Sequence, residues 1–166
     1  MGHLRVARLQ DIAAIRAIRL EMLSLHPEAF CADLDAAEAM TLEDFRANAA
    51  RVAWFGGYVE DVLAGTVVFS RRGGKKLAHT GELASMYVRK DYRGTGLADA
   101  LIEAVIDHAI GMVEQIELTV NAENVRAIGL YERHGFVAYG CKPRSIRIGD
   151  KTYDEVMMMR RLAPHR

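Results

Sequence analysis

VRKDYRGTGLADAL, residues 88–101, joins a run of strand character to a run of helical character through a short glycine loop. The residues before it, ELASMYV (82–88), predict a strand, and those after it carry apolar side chains at helical spacing. Gly94 and Gly96 allow a ligand to approach the backbone closely. Because unpaired N–H groups at the start of a helix favour an anion, the loop predicts a phosphate or pyrophosphate site.

Several known types of loop could account for this pattern. A plain tight turn between strand and helix needs only the glycines. A dinucleotide loop of the GxGxxG or GxGxxA type needs a small residue where Asp99 stands, and a GxxxxGK phosphate loop is absent. The pattern that fits is R-x-x-G-x-A, formed by Arg93, Gly96 and Ala98. It resembles the pyrophosphate motif R/Q-x-x-G-x-G/A of the GCN5-related N-acetyltransferase (GNAT) superfamily.

A second block points to the same family. Residues 121–136 are NAENVRAIGLYERHGF, which resembles the family signature N-x-x-A-x-x-L-Y-x-x-x-G-F at every fixed position. Asn124 and Tyr131 are two helical turns apart, so they project from one helix face. A helix cap at Asn124 and a core position for Tyr131 are the alternatives. The chain is identified as a member of the GNAT superfamily, with the resemblance covering essentially its full length.

The order of elements predicts an α/β (α+β) fold in one domain, residues 1–166. We expect a single mixed, mostly antiparallel sheet with helices on both faces, in the order β-α-α-β-β-β-α-β-α-β-β. Helices are expected after Asp11, Thr41, Gly96 and Asn124. The expected strands are Leu4–Arg8, Trp54–Glu60, Leu63–Arg71, Gly81–Val88, Ile116–Val120, Phe136–Gly140 and Lys151–Arg160.

The resemblance implies that acetyl-CoA is the co-substrate and that no metal is needed. It assigns the pyrophosphate to the loop and the pantetheine arm to a bulged strand, splayed from its neighbour. It also makes Tyr131 the general acid that protonates the departing CoA thiolate, with Asn124 on the same ligand. The residues so assigned to the cofactor are Met86, Tyr87, Val88, Arg93, Gly94, Thr95, Gly96, Leu97, Ala98, Asn124 and Tyr131.

A general base is less clearly indicated. Glu82 stands six residues before Val88, where the histone-acetyltransferase branch of the superfamily carries a glutamate base, and it would act through a water. A strand residue in an ion pair is the alternative for Glu82. His79 is a second candidate, and many family members have no single base.

The acceptor is expected to be a primary amine of a small molecule or peptide. The segment 28–61 is acidic, which suits a cationic amine, and a solvated helix and loop face is the favoured alternative. Tyr153, Asp154 and Glu155 are candidates for the same pocket. Two other classes stay open: a non-catalytic acyl-CoA-binding or sensing module on this fold, and an unrelated nucleotide-binding enzyme.

The amino-acid composition limits the classes of partner that we expect. The 166 residues include 22 Lys and Arg against 22 Asp and Glu, so an electrostatic nucleic-acid binder is not expected. No apolar run has the length of a membrane span. Cys31 and Cys141 are the only cysteines, which fits a reducing compartment, and a cytoplasmic protein is expected. Phe136–Gly140 and the Met-rich last strand are candidates for a homodimer surface.

Overall fold

The computed structural model describes residues 2–162, which form one seven-stranded sheet with helices packed against it. The strands lie in the order β1-β2-β3-β4-β5-β7-β6; β4 and β5 are parallel and the other neighbours antiparallel. Within residues 2–162 no helix combines the length and apolarity needed to cross a bilayer. The strands are β1 Leu4–Arg8, β2 Ala53–Val59, β3 Val62–Arg71, β4 Thr80–Val88, β5 Gln115–Asn121, β6 Val137–Ile148 and β7 Lys151–Arg161. The helices are α1 Ile12–Leu25, α2 Leu34–Glu38, α3 Leu42–Ala49, α4 Leu97–Ala109 and α5 Val125–Arg133, with single 3₁₀ turns at Pro27–Ala29 and Lys90–Tyr92.

Apolar side chains alternate along the central strands, so each face of the sheet has its own core. Phe55 and Val67 belong to the cluster that contains the buried stripe of α4 and Tyr131 of α5. Trp54 and Val68, one residue away in each strand, pack with α1 and α3 on the opposite face. The expected mixed sheet with helices on both faces is confirmed.

Strands β4 and β5 separate soon after they begin. They pair only over Thr80–Glu82 of β4, which then continues to Val88 without a partner on that side. The register between β3 and β4 shifts so that Ser85 and Met86 lie opposite Val67, and Ser85 adopts a left-handed φ of 52°. The expected bulge and splay are therefore present, and backbone groups of the second half of β4 face an opening in the sheet.

Two elements differ from the sequence expectation. The helix after Thr41 has two turns rather than three, and α2, too short to show a periodicity, precedes it. The strand expected at Phe136–Gly140 runs over Val137–Ile148. Pro143 lies in the register shift of β6 between Lys142 and Ile146, and β6 is an edge strand, where a proline is tolerated.

Candidate active site

A cleft of about 560 Å³ opens where β4 and β5 separate. Three segments line it. We call residues 86–99 the glycine wall and residues 26–30 the histidine wall; the third segment is 121–133, the end of β5 and α5. Of the predicted cofactor residues, the cleft is lined by Met86, Tyr87, Val88, Arg93, Gly94, Gly96, Ala98 and Asn124.

The glycine loop has the geometry of an anion site. Gly94 and Gly96 have φ of 78° and 90°, and a side chain at Gly94 would meet no protein atom within 4 Å. Gly96 caps α4, whose first N–H groups have no intrahelical partner. Thr95 and Leu97 support the loop rather than line the cleft: the Thr95 hydroxyl donates to the Tyr92 carbonyl at 2.7 Å, and Leu97 is buried.

Arg93 bridges the glycine wall and the histidine wall. Its Nε donates to the Val88 carbonyl at 3.1 Å, and its Nη2 lies 3.3 Å from Nε2 of His26. Because a guanidinium only donates, Nε2 of His26 accepts, which places the ring proton on Nδ1, 3.7 Å from the Glu28 carboxylate. Neither His26 nor Glu28 was among the predicted site residues. A histidine before a proline at a helix end signals only a chain turn.

Tyr131 lies behind the lining of the cleft. It is 6% exposed and belongs to the main core, where its ring packs edge-on against Phe136 with centroids 5.9 Å apart. Burial raises the pKa of the Tyr131 phenol well above its ordinary value of 10.0. The phenol is protonated at neutral pH even at its ordinary pKa, and burial makes it a weaker acid. Asn124 caps α5 by accepting from the Ala127 amide at 3.1 Å, so capping and a place in the cleft coincide.

A paired cluster holds the end of β4 against α1. The Tyr87 hydroxyl donates to Glu21 at 2.7 Å, and Nε of Arg89 donates to the same carboxylate at 2.9 Å. Burial and the bond to Glu21 raise the pKa of Tyr87 to about 12. Although burial alone opposes it, the bonds from Arg89 and Tyr87 lower the pKa of Glu21. These hydrogen bonds fix the strand that carries Met86 and Val88, and the charges of Glu21 and Arg89 balance each other.

The candidate bases lie outside the cleft. Glu82 is about half exposed and 3.8 Å from Arg72, whose guanidinium also lies 3.3 Å from Glu117 on β5. Because Glu82 is two residues before Ala84, which pairs with Val68, it shares the α1 and α3 face of the sheet. His79 lines a separate depression at the opposite end of β4, with Arg71, Lys75 and Arg161. Arg71 and Lys75 therefore lie away from the cleft, beside His79.

The acidic segment is only partly brought to the cleft. Glu28 lines it, whereas Glu43 pairs with Arg46 and Asp44 caps α3. In the last strand, Asp154 accepts from the Arg144 amide and Glu155 from the Ser145 hydroxyl, and neither lines the cleft. Asn121, which was not predicted, does line it, and its amide donates to the Glu28 carbonyl at 3.0 Å. Over residues 2–162, no group of three His, Cys, Asp or Glu side chains is placed to hold a metal ion.

Comparison with known proteins gives one family. The model of the acetyltransferase (GNAT) family matches residues 16–136. A mycothiol acetyltransferase of Beutenbergia cavernae is 34% identical over 135 residues, which are 78% of this chain and 44% of the relative. That of Propionibacterium freudenreichii subsp. shermanii is 36% identical over 105 residues, 59% of this chain and 33% of the relative. The chain thus spans less than half the length of these curated relatives.

Solved structures share the fold over nearly the whole chain. An acetyltransferase of the GNAT family from Streptococcus pneumoniae has a TM-score of 0.82 and 26% identity, covering 96% of this chain and 100% of its own. The Salmonella typhimurium protein yncA, solved with acetyl-CoA, has a TM-score of 0.79 and 22% identity, covering 100% and 96%.

Proposed function

Because the chain belongs to the acetyltransferase (GNAT) family, we propose that it transfers the acetyl group of acetyl-CoA to a primary amine of a small molecule or peptide. One observation carries the proposal: a single cleft joins the open edge of β4 to the glycine loop at the start of α4. The edge suits an extended amide chain, which can pair with backbone groups as an added strand. The loop suits a phosphate group.

The residues present fit acetyl-CoA. Space beside Gly94 and the unpaired N–H groups of α4 suit the pyrophosphate, and Met86–Val88 offer backbone groups to the pantetheine arm. Acetyl-CoA supplies the thioester that is cleaved. Arg93 and Arg126 add positive charge to the cleft. Backbone N–H groups of β4 are the donors for the carbonyl oxygen as negative charge develops on it.

Two proton transfers complete the proposed reaction. Tyr131 gives its proton to the thiolate, since a phenol is protonated at neutral pH even at its ordinary pKa of about 10. The acceptor ammonium must lose its proton before the nitrogen attacks. We assign this step to Glu82 acting through a water, since Glu82 lies on the sheet face opposite α4. His26 is the rival base because it lines the cleft itself.

Incubation of the protein with acetyl-CoA and a panel of amines tests this proposal. We expect thiol release that depends on the amine, and a matching mass increase of one acetyl group on the acceptor. Acetyl-CoA without amine is the control for hydrolysis. Binding of acetyl-CoA with no turnover on any amine would favour a non-catalytic acyl-CoA module. A thermal shift with ATP or NAD but none with CoA would overturn the proposal altogether.

A further inference from the structure

Arg19 of α1 is a partly buried guanidinium without a carboxylate partner. Within residues 2–162 its side chain makes one hydrogen bond, from Nη1 to the Ser85 hydroxyl oxygen at 3.3 Å. None of the carboxylates in residues 2–162 lies within 4.0 Å of it. Burial lowers its pKa, opposed only by the Cys31 thiol. Since desolvating an unpaired charge is costly, the arrangement is one that an anion would complete.

Its neighbour on the same side of the sheet shows the contrast. Arg89 donates from Nε to Glu21 at 2.9 Å and from Nη1 to the Leu63 carbonyl at 2.6 Å. The charge of Arg89 is thus matched by a carboxylate of α1, whereas most N–H donors of Arg19 have no acceptor in the described part of the chain. Helix α1 therefore supplies a carboxylate partner for Arg89, whereas the charge of Arg19 remains available to a ligand.

The strand conformation directs Ser85 toward Arg19. Ser85 has a left-handed φ of 52° at the bulge of β4, a strained state for a serine. The bulge places two consecutive side chains, Ser85 and Met86, opposite one residue of β3. Met86 lines the cleft, and its strand is where the thioester is proposed to lie. A group held by Arg19 and Ser85 is therefore one residue from the reacting centre, on the α1 side.

We propose that Arg19 and the Ser85 hydroxyl bind a carboxylate of the acceptor, so that the acceptor is an amine carrying a carboxylate close to its nitrogen, as amino acids do. This inference rests on the proposed acetyl transfer. A planar guanidinium fits a carboxylate through two parallel hydrogen bonds, and the single positive charge matches a single negative one. Two glutamates of the face have basic partners: Glu21 is paired with Arg89 at 2.9 Å, and Glu82 lies 3.8 Å from Arg72.

Matched acceptor pairs test the proposal. Each standard amino acid is compared with its carboxamide, which keeps the amine and loses the charge. We expect the wild-type protein to favour the carboxylate at least tenfold in kcat/KM, as a charge-assisted hydrogen bond allows. Arg19→Gln should remove that preference by raising KM for the acceptor, with KM for acetyl-CoA unchanged. Arg19→Lys should restore part of it.

The control is Arg16→Gln, a substitution on the same helix. The Arg16 guanidinium lies over the Phe45 ring of α3, 5.9 Å from its centroid, whereas it is Arg19 that bonds Ser85. We expect it to keep the wild-type preference. Equal rates for acid and amide in the wild type, or a preserved preference in Arg19→Gln, would overturn the proposal.

Binding measurements separate this proposal from acetyl transfer. The same pairs are titrated into the CoA-bound protein by calorimetry. Carboxylate-dependent binding that needs Arg19, without any thiol release, would leave the carboxylate site standing and refute the transfer reaction. Amine-dependent thiol release with no carboxylate preference in binding would do the reverse.

Discussion

The glycine wall and the histidine wall face one cleft but are built by different means. The glycine wall presents backbone groups: the unpaired edge of β4 and the start of α4, shaped by Gly94 and Gly96. The histidine wall presents side chains, chiefly His26 and Glu28, at a proline turn that follows α1. Backbone groups suit a ligand that is the same in every reaction. The side chains of the histidine wall, in contrast, can be substituted without loss of the fold. We therefore expect damage on the glycine side to impair every acceptor equally, and damage on the histidine side to depend on the acceptor.

The largest effect is expected for Tyr131→Phe, which acts on the proton transfer that every acceptor shares. Loss of the general acid should lower kcat about 100-fold with every acceptor. KM for acetyl-CoA should not change, since the ring and its contact with Phe136 remain. Tyr58→Phe, a phenol on β2 beneath Arg5, is the control. An unchanged kcat in Tyr131→Phe would remove Tyr131 from the mechanism.

The next largest effect is expected for Gly94→Val, paired with Gly74→Val. The two glycines have φ of 78° and 84°, and neither has a protein atom within 4 Å of a side-chain position. Both substitutions should cost about 1–2 kcal/mol of stability from the backbone. Only Gly94→Val fills the cleft, so it alone should raise KM for acetyl-CoA, about tenfold for every acceptor.

Thermal melts of the two glycine variants should show equal destabilisation. A similar rise in KM for Gly74→Val would mean that strain, and not the occupied space, is responsible. An unchanged KM in Gly94→Val would mean that acetyl-CoA does not approach the loop there.

The contrast between the two walls also explains which parts of the site could be predicted from the sequence. The glycine wall is local: strand, loop and helix follow one another within residues 82–101, so a pattern of glycines and apolar spacing predicts it. The histidine wall depends on a contact between His26 and Arg93, which are 67 positions apart. Nothing near His26 signals that partner. Arg19 and Ser85 are likewise 66 positions apart, and their contact depends on a bulge that the sequence does not mark.

Glu82 shows what spacing along a single strand cannot predict. Its distance from Val88 along the chain suggested a place beside the reacting groups, but β4 still pairs with β5 at Glu82 and the sheet opens only beyond it, so the proposed role of Glu82 depends on a bridging water. The bulge at Ser85 and Met86 then changes which side chains share a face. Spacing along a strand predicts the position of a residue but not where the neighbouring strand departs.

Glu82→Gln and His26→Asn compare the two candidate bases directly. A base must be deprotonated to act, so the rate falls at acidic pH as it takes up a proton. We expect Glu82→Gln to lower kcat/KM about tenfold and to remove the acidic limb of the pH profile. His26→Asn should keep the limb and change KM for the acceptor. The reverse pattern would assign the proton transfer to His26.

The smallest effect is expected for Asp99→Asn, on the glycine side. Asp99 lies 2.8 Å from His134 and 3.4 Å from Arg133, and the bond to His134 is the main cause of its lowered pKa. A lowered pKa stabilises the fold above the unfolded value of about 3.9, and that contribution is lost as the pH falls through the folded-state value. Because the side chain is 39% exposed, we expect Asp99→Asn to cost about 0.5 kcal/mol at neutral pH and to flatten the acidic side of the stability curve.

Asp99→Asn also distinguishes the effect of charge in the glycine wall from the effect of the shape of its loop. Its carboxylate lines the cleft where phosphates are proposed to bind, so its removal should lower KM for acetyl-CoA about twofold, a screened electrostatic effect. Asp107→Asn, on an exposed position of the same helix, should change neither quantity. If Asp99→Asn instead raised KM, the link from Asp99 to α5 would be what holds the loop in shape. The glycine wall would then depend on side chains, as the histidine wall does.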